Sequence, residues 1–277
     1  MNCEYAPRLT DEEYAVAFTT FRNNTNQRQL MLEWFVGRAK ATINGLSGCS
    51  VLSVGCGNGD FDLAAIQNLV SSVPELRYVA LDPNAVMLNT FREKVQLAQL
   101  PNVNFELLSC SFEQMDITEP NQFDLVHFTH CLYFIDDRLD AILKASKLLK
   151  QYGAVLILNS MIAGIQDIRL KFSKRALGTQ FATFTGEQLR ESLCDAKVAH
   201  EFDVLPGVTD ITECFDANSQ AGTPLLDFFL DCNTKFLAPE FKSEILDHLR
   251  NISYRDGDRI LMPHPVAAVQ VRATQHQ

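Results

Sequence analysis

The chain has 277 residues, of which 47% are hydrophobic, and a formal net charge of −10 at pH 7. This length and apolar content suit one large domain with a full core, while the acidic balance argues against a nucleic-acid-binding protein. No apolar run approaches the roughly 18 residues of a membrane-spanning helix, and the polar, acidic start of the chain lacks the pattern of a signal peptide. We therefore expect neither nucleic acid nor membrane as a partner.

Eight cysteines are scattered along the chain without a C-x-x-C pair. This spacing favours reduced thiols over a disulfide framework or a zinc site. We therefore expect a cytoplasmic protein without a bound metal.

Two helices are predicted before the first strand. Thr10 and Glu13 form a capping box, so a helix should begin near Asp11. Aromatic residues continue at helical spacing to residue 21, the pair Asn23-Asn24 interrupts the pattern, and a second helix should start near residues 25–26. Both helices precede the sheet and are expected over its ligand-binding end.

Strands and helices then alternate, which predicts a mostly parallel sheet. The predicted strands of this part span residues 51–54, 78–81, 103–108, 123–128 and 154–158. The predicted helices span residues 60–73, 84–99 and 137–150, and Gly153 is expected to cap the last one.

The rhythm changes after residue 159. Helices are predicted at residues 162–175, 185–195 and 239–250, with strands at 200–205, 259–262 and 266–271. Residues 210–238 break the pattern with a turn-rich piece and an apolar helix.

We predict a single α/β domain of residues 1–277 with a Rossmann-like sheet. Its core sheet covers about residues 48–160 plus the C-terminal strands. The N-terminal helices and the late helical insertion supply substrate-cap elements at about residues 10–45, 160–197 and 208–255, and these form a lid over a small ligand.

The central motif is VLSVGCGNGDFD at residues 51–62. A buried strand that breaks into a glycine-rich turn and then enters a helix is typical of nucleotide-cofactor binding in α/β sheets. Gly55, Gly57 and Gly59 let the backbone turn sharply and approach a ligand closely.

The acidic residues around this turn indicate which cofactor it holds. Asp60 and Asp62 place negative charge where a dinucleotide pyrophosphate would need positive potential. This favours S-adenosylmethionine (SAM), which carries a sulfonium and an ammonium. Asp82 ends the second strand roughly 20 residues beyond the turn, the spacing at which an acid takes ribose hydroxyls. The alternative is a turn without a cofactor, with Asp82 only as a helix N-cap.

With these motifs the chain resembles the class I SAM-dependent methyltransferases, and more narrowly the histamine N-methyltransferase family. The resemblance covers nearly the whole chain and is most specific in the late insertion. Its motifs are Tyr14…Phe18-x-x-Phe21-x-Asn23, the glycine turn, Asp82-Pro83, Leu132-Tyr133-Phe134, Asp210-Ile211-x-x-Cys214-Phe215 and Leu225-Leu226…Phe229-Leu230.

The resemblance implies a class I methyltransferase sheet and a set of cofactor contacts. The three glycines would cradle the methionine portion, Asp82 the ribose, and residues 110–112 the adenine. Met87 stands where the family has a glutamine, so apolar contact with the adenosine would replace a polar one. The implied cofactor residues are Gly55, Gly57, Gly59, Asp82, Pro83, Met87, Ser111, Phe112 and Thr129.

The family's substrate residues are replaced in this chain. Gln27, His130 and His264 stand at the positions of an acid, a glutamine and an asparagine that hold histamine. Ile165 and Arg169 stand at the positions of two tryptophans of the aromatic cage. The implied substrate residues are Phe21, Gln27, His130, Phe134, Ile165, Arg169, Phe229 and His264.

These replacements change the kind of acceptor that we expect. A cationic amine is best held by carboxylates and aromatic faces, so the loss of the acid favours an acceptor with a carboxylate. His130 and His264 are the candidates to orient or deprotonate it. Each also has a structural alternative: His130 behind the sheet, His264 in a rigid Pro-His-Pro turn, Arg169 on a solvated face, and Phe134 and Phe229 in the core.

The sequence thus predicts a SAM-dependent methyltransferase acting on nitrogen of a histamine-like amine or an amino-acid-like, zwitterionic relative. One alternative is an O-, S- or C-methyltransferase of a small carboxylate-bearing metabolite, since the fold hosts all of these. Another is a non-catalytic SAM-binding protein. The family resemblance implies a monomer.

Overall fold

The computed structural model describes residues 5–115, 120–181, 183–216 and 218–273; Cys3 lies outside them. Its helices are α1 (Asp11–Asn23), α2 (Gln27–Ile43), α3 (Asp60–Leu69), α4 (Ala85–Ala98), α5 (Arg138–Lys147), α6 (Ile165–Leu177), α7 (Gly186–Asp195), α8 (Gly222–Leu230) and α9 (Pro239–Asn251). Its strands are β1 (Cys49–Val54), β2 (Leu76–Leu81), β3 (Val103–Leu108), β4 (Phe123–Thr129), β5 (Leu149–Ser160), β6 (His200–Leu205), β7 (Val208–Asp210), β8 (Tyr254–Asp256), β9 (Arg259–Pro263) and β10 (Val266–Arg272).

The described residues fall into two compact units. Unit 1 comprises the described parts of Met1–Leu30, Ser160–Thr185 and Leu205–Val266. Unit 2 comprises the described parts of Met31–Asn159, Gly186–Val204 and Ala267–Gln277. The assignment of all these segments to a single domain stays a prediction.

Unit 2 contains a seven-stranded sheet in the order β3-β2-β1-β4-β5-β10-β6. The pairs β1–β2, β2–β3, β1–β4 and β4–β5 are parallel, which confirms the predicted Rossmann-like α/β class. The strand order reverses between β1 and β4. At such a switch point the loops that leave the strands' carboxyl ends diverge, and ligands of α/β proteins bind there.

The central strands are buried on both faces, so they are read in the sequence as nearly continuous apolar runs. In β1 and β4 almost every residue is buried. Polar side chains interrupt this apolar interior, among them Ser53, Asp124, His127 and Asn159. Buried polar groups are costly unless they are hydrogen-bonded, so these positions invite a functional explanation.

Unit 1 is built around an apolar cluster that joins four helices. Side chains from α1, α6, α8 and α9 pack together, including Phe21, Phe172 and Phe229. Each large side chain that is fully buried in this way stabilises the fold by about 1.5–3 kcal/mol relative to exposure. The antiparallel sheet β7-β9-β8 completes the unit.

The predicted capping box of α1 is confirmed. The Thr10 side chain accepts a hydrogen bond from the Glu13 amide at 3.2 Å, and the Glu13 carboxylate accepts one from the Thr10 amide at 2.9 Å. Both bonds satisfy amide groups that lack partners within the helix.

Two local predictions are wrong, and one exposed strand was not predicted. Gly153 does not cap α5, because that helix ends at Lys147 and Gly153 lies inside β5. The helix predicted from residue 162 begins at Ile165, after Gly164 with φ +73°. The strand β8 was not predicted, because its three residues are all exposed and carry no apolar pattern.

Candidate functional site

The glycine turn connects β1 to α3 in unit 2. Gly55, Gly57 and Gly59 have φ angles of +66°, +54° and +71°. Residues other than glycine rarely adopt this left-handed region of backbone conformation. The backbone therefore turns away from the sheet through three alternate positions that favour glycine.

The three glycines face different surroundings. A Cβ atom on Gly55 would lie 2.6 Å from Cβ of Cys131, and one on Gly59 would lie 2.0 Å from Cδ2 of Phe91. At Gly57 no atom lies within 4 Å of the corresponding position. Close protein packing thus requires glycine at the outer two positions, whereas the middle one borders open space. The open space at Gly57 leaves room for a ligand, and the contact of this turn with a cofactor stays a prediction.

Asp82 fixes the turn from the neighbouring strand. One carboxylate oxygen accepts a hydrogen bond from the Gly57 amide at 2.8 Å, and the other accepts one from the Asn84 amide at 2.8 Å. The N-cap of α4 is Asn84, whose side chain accepts from two amides of the helix. The alternative in which Asp82 is the helix cap is therefore wrong, and its contact with ribose stays a prediction.

A lysine holds the far end of the turn. Lys94 donates to the Asn58 carbonyl at 3.1 Å and to the Asp60 carboxylate at 2.5 Å. Asp62, two residues further along α3, is buried. The Lys94 ammonium is thus engaged by a carbonyl and a carboxylate of the turn itself. The acidic residues of the turn fit the cationic methionine end of SAM better than a pyrophosphate.

Further predicted cofactor contacts follow two strands: Pro83 and Met87 come after β2, and residues 110–112 come after β3. Met87 is 42% exposed and Pro83 is exposed as well, so both are accessible to a ligand. The Phe112 ring is buried and packs edge-on against Phe128 with centroids 5.6 Å apart. Any contact of Phe112 with adenine must therefore come from its backbone in this conformation, and Ser111 beside it is half-buried.

Lys144 organises the same segment and was not singled out from the sequence. Its ammonium donates to the carbonyls of Phe112 at 2.7 Å, Met115 at 2.9 Å and Glu113 at 3.4 Å. It also lies 4.8 Å from the centroid of the Phe112 ring. One side chain from α5 thus holds three backbone carbonyls of this loop.

His130 follows β4 in a strained conformation. Its φ is +53°, and its amide donates to the Leu158 carbonyl at 2.9 Å. Its Nε2 lies 3.2 Å from the Met31 sulfur, and because a thioether can only accept, this contact assigns the proton of neutral His130 to Nε2. Left-handed backbone at a residue other than glycine costs energy and concentrates at functional sites.

The charge state of His130 follows from its surroundings. Burial lowers the pKa of His130 to about 4. The imidazole is therefore neutral at physiological pH, with a lone pair on Nδ1.

We expect acid to destabilise the wild-type protein through this histidine. Below pH 6.5 the unfolded chain protonates His130 while the folded chain does not, so the folded state loses stability as the pH falls from 6.5 toward 4. His130→Asn should remove up to about 3 kcal/mol of this loss, and asparagine tolerates the left-handed backbone. Chemical denaturation at pH 7.0, 5.5 and 4.5 measures the effect, with His200→Asn as the control. An unchanged pH dependence in His130→Asn would contradict the assignment.

In unit 1, Gln27 and His264 are directly linked. Both are buried, and the Gln27 amide donates to the His264 carbonyl at 3.0 Å. The His264 ring lies 3.5 Å from the Thr209 hydroxyl and packs against the Phe21 ring at a centroid distance of 5.7 Å. Three of the predicted substrate residues are thus brought together, and none of the three carries a carboxylate.

Arg169 is used within unit 1. Its guanidinium donates to the carbonyls of Phe229 and Phe228, both at 3.0 Å, in the last turn of α8. It also lies 4.6 Å from the centroid of the Phe181 ring. Cations satisfy the carbonyls at helix C-termini, so the arrangement links α6 to α8. A contact of Arg169 with a methyl acceptor stays a prediction.

The remaining aromatic-cage positions differ in exposure. Ile165 and Phe229 are buried in the apolar cluster of unit 1. Phe134 is 81% exposed on unit 2, in a short 3₁₀ turn after β4, with its ring 4.6 Å from that of Tyr133. Of these three side chains, only Phe134 presents a large accessible apolar surface.

Neither a membrane-spanning helix nor a metal-ligand cluster occurs among residues 5–115, 120–181, 183–216 and 218–273. There, no helix has the length and apolar character needed to cross a bilayer. In the same ranges, no group of three or more His, Cys, Asp or Glu side chains is arranged to hold a metal ion.

The sequence is similar to known methyltransferases. Residues 51–153 match the family described as "Methyltransferase domain". The chain is 29% identical over 241 residues to carnosine N-methyltransferase 2 of Gallus gallus, covering 79% of this chain and 73% of the relative. It is 25% identical over 279 residues to histamine N-methyltransferase of Cavia porcellus, covering 94% and 95%.

Solved structures share the fold at lower identity. The YcgJ protein of Bacillus subtilis superposes with a TM-score of 0.56 at 13% identity, over 88% of this chain and 100% of that one. A putative sarcosine dimethylglycine methyltransferase of Galdieria sulphuraria gives 0.54 at 14% identity, over 95% and 98%. The plantazolicin methyltransferase BamL, solved with S-adenosylhomocysteine (SAH), gives 0.52 at 13% identity, over 94% and 90%.

Proposed function

Since the chain is a class I SAM-dependent methyltransferase that resembles the histamine N-methyltransferases, we propose that it methylates a nitrogen of a small zwitterion. The acceptor is an amino-acid-like relative of histamine that carries both a basic nitrogen and a carboxylate. SAM is the cofactor and supplies, when bound, an electrophilic methyl group on a sulfonium.

The observation that carries this proposal is the linked pair Gln27 and His264. At the position where the resemblance places an acid, an amide is buried and donates to the His264 carbonyl. A buried carboxylate there would face that carbonyl without a donor, which costs free energy. The local structure therefore supports a neutral site. Compared with a site that contains a carboxylate, a neutral site repels an acceptor with its own carboxylate less.

The similarity to carnosine N-methyltransferase 2 supports the same acceptor class. Carnosine is a dipeptide with an amine, an imidazole ring and a carboxylate, whereas histamine lacks the carboxylate. Histamine and carnosine share the imidazole ring. An imidazole-bearing zwitterion is therefore the acceptor that fits both the sequence similarity to the two named enzymes and the neutral residues Gln27 and His264.

His130 is better suited to orient the acceptor than to deprotonate it. A base whose conjugate acid has a pKa of about 4 removes a proton poorly from an ammonium group. The neutral ring is proposed instead to hydrogen-bond the acceptor and hold it for in-line transfer. This favours a nitrogen that is already neutral at physiological pH, such as an imidazole nitrogen.

The cofactor is proposed to rest on the residues that the sequence predicted. The open side of Gly57 would take the methionine portion, Asp82 the ribose, and Met87 and residues 110–112 the adenine. Asp82 and Lys94 keep the turn in shape from two neighbouring elements, so the cradle does not depend on the glycines alone.

Matched pairs of acceptors test the proposal. Histidine differs from histamine, and carnosine from its decarboxylated analogue, by a single carboxylate. We expect kcat/KM for the carboxylate-bearing member of each pair to equal or exceed that for the decarboxylated member. Steady-state assays with SAM, measuring SAH release, give these ratios. Preference for the decarboxylated member in both pairs would overturn the proposed acceptor class.

We also propose that the enzyme is a cytoplasmic monomer that binds neither nucleic acid nor membrane. The cysteines in the described residues are unpaired, which suits a reducing compartment. The net charge of −10 opposes association with polyanions.

A further inference from the structure

A chain of buried polar side chains runs through unit 2 beneath the glycine turn. Asp62 of α3, Tyr78 of β2 and His127 of β4 are 2%, 0% and 1% exposed, and Thr129 at the end of β4 is half-buried. These four side chains lie among apolar strands where hydrocarbon side chains would pack without any hydrogen bonds. Beyond the negative charge of Asp62, the resemblance and the predicted mechanism assign no role to the first three.

The contacts in this chain are continuous. The Tyr78 hydroxyl donates to the Asp62 carboxylate at 2.8 Å and lies 2.9 Å from Nε2 of His127. Nδ1 of His127 lies 3.2 Å from the Thr129 hydroxyl. The chain therefore connects a buried carboxylate to a hydroxyl at the carboxyl edge of the sheet.

Proton counting gives this chain a direction. The single proton of the Tyr78 hydroxyl is used on Asp62, so the bond between Tyr78 and His127 must be donated by Nε2–H of the histidine. Burial lowers the pKa of His127, so the ring is neutral and Nδ1 can only accept. The Thr129 proton then points to Nδ1, and the Thr129 oxygen keeps only lone pairs for other partners.

Thr129 lies beside the glycine turn. Val54 is in register with Phe128 across the β1–β4 pair, so Gly55, which follows β1, and Thr129, the last residue of β4, lie at the same edge of the sheet. The Cys131 sulfur also lies 3.0 Å from the Val54 carbonyl. The residue that carries this accepting oxygen is thus at the same sheet edge as the turn proposed to hold the cationic methionine portion of SAM.

We propose that Asp62, Tyr78 and His127 are positioning residues that fix Thr129 as a hydrogen-bond acceptor for the ammonium group of SAM. The inference rests on the proposed placement of the cofactor and is independent of the identity of the methyl acceptor. Tyr78→Phe breaks the chain with little change in shape, and Thr129→Val removes the hydroxyl while keeping the volume.

Ligand binding measured by calorimetry tests this chain. We expect each single variant to raise the Kd of SAM and SAH about tenfold. The Kd of 5′-methylthioadenosine, which lacks the ammonium, should stay unchanged. In the double variant the two effects should not add, because both break one chain. Tyr152→Phe, at a residue 69% exposed, is the matched control.

Nuclear magnetic resonance of the wild-type protein gives a readout that needs no variant. Labelled histidine should show His127 as a neutral ring with its proton on Nε2, and this signature should change in Tyr78→Phe. A proton on Nδ1, additive effects, or equal weakening of 5′-methylthioadenosine would overturn the proposal. A failure of the acceptor assays with normal SAM binding would concern the proposed acceptor only.

Discussion

A Gly57→Val variant is expected to raise the Kd of SAM at least about 100-fold while the protein remains folded. The new side chain would enter the open space beside the turn, where no protein atom lies within 4 Å, so it would displace ligand and leave the protein packing intact. The φ of +54° adds strain, which costs about 1–2 kcal/mol for a residue with a Cβ atom. Calorimetric titration with SAM and SAH, together with thermal unfolding, measures both effects.

The control separates backbone strain from ligand exclusion. Gly45 lies in an exposed turn between α2 and β1, has φ +81° and also faces open space. Gly45→Val should therefore lower stability by a similar amount and leave the affinity for SAM unchanged. If Gly57→Val bound SAM within threefold of wild type, the glycine turn would not be the cofactor cradle.

Replacing His130 is expected to lower kcat about 100-fold and to change the Kd of SAM by no more than a few-fold. The loss follows because a positioning group that holds an acceptor for in-line transfer contributes on this scale. His130→Asn keeps the left-handed backbone and removes the imidazole, while His130→Ala removes all side-chain polarity. Steady-state kinetics and calorimetry on the same preparations give the two quantities.

The pH profile distinguishes the roles of His130. With a pKa of about 4, the histidine should add no inflection to kcat/KM between pH 6 and 8. His200→Asn, on β6, serves as the control and should behave as wild type. Equal losses in kcat and SAM affinity would instead give His130 a structural role, and an inflection near neutral pH that disappears in His130→Asn would make it a base.

The central sheet could be predicted because its strands are buried on both faces. Apolar runs such as β1 and β4 carry this signal in a few consecutive residues. β5 is longer than predicted because Gln151 and Tyr152, near its start, are exposed and interrupt the apolar pattern. Backbone pairing in the sheet extends the strand beyond the part that this pattern predicts.

In the candidate site too, some residues could be predicted from the sequence and others could not. The glycines and Asp82 were predicted because a local motif with a fixed spacing carries them. The link between Gln27 and His264 joins residues 237 positions apart, and neither position alone indicates the other. His127 gave one local signal, a titratable side chain in an otherwise apolar strand, but its partners Asp62 and Tyr78 come from other elements.

The unequal surroundings of the three glycines bear on how this motif drifts among homologous sequences. Selection for folding alone would retain Gly55 and Gly59, because Cys131 and Phe91 occupy the space that a side chain would need. At Gly57 no packing contact opposes a side chain, so selection for folding acts there only through the φ of +54°, and ligand binding would supply the remaining constraint. A descendant that abandoned catalysis would therefore preserve the outer glycines and vary the middle one, so residue 57 distinguishes a working enzyme from a pseudoenzyme in this lineage.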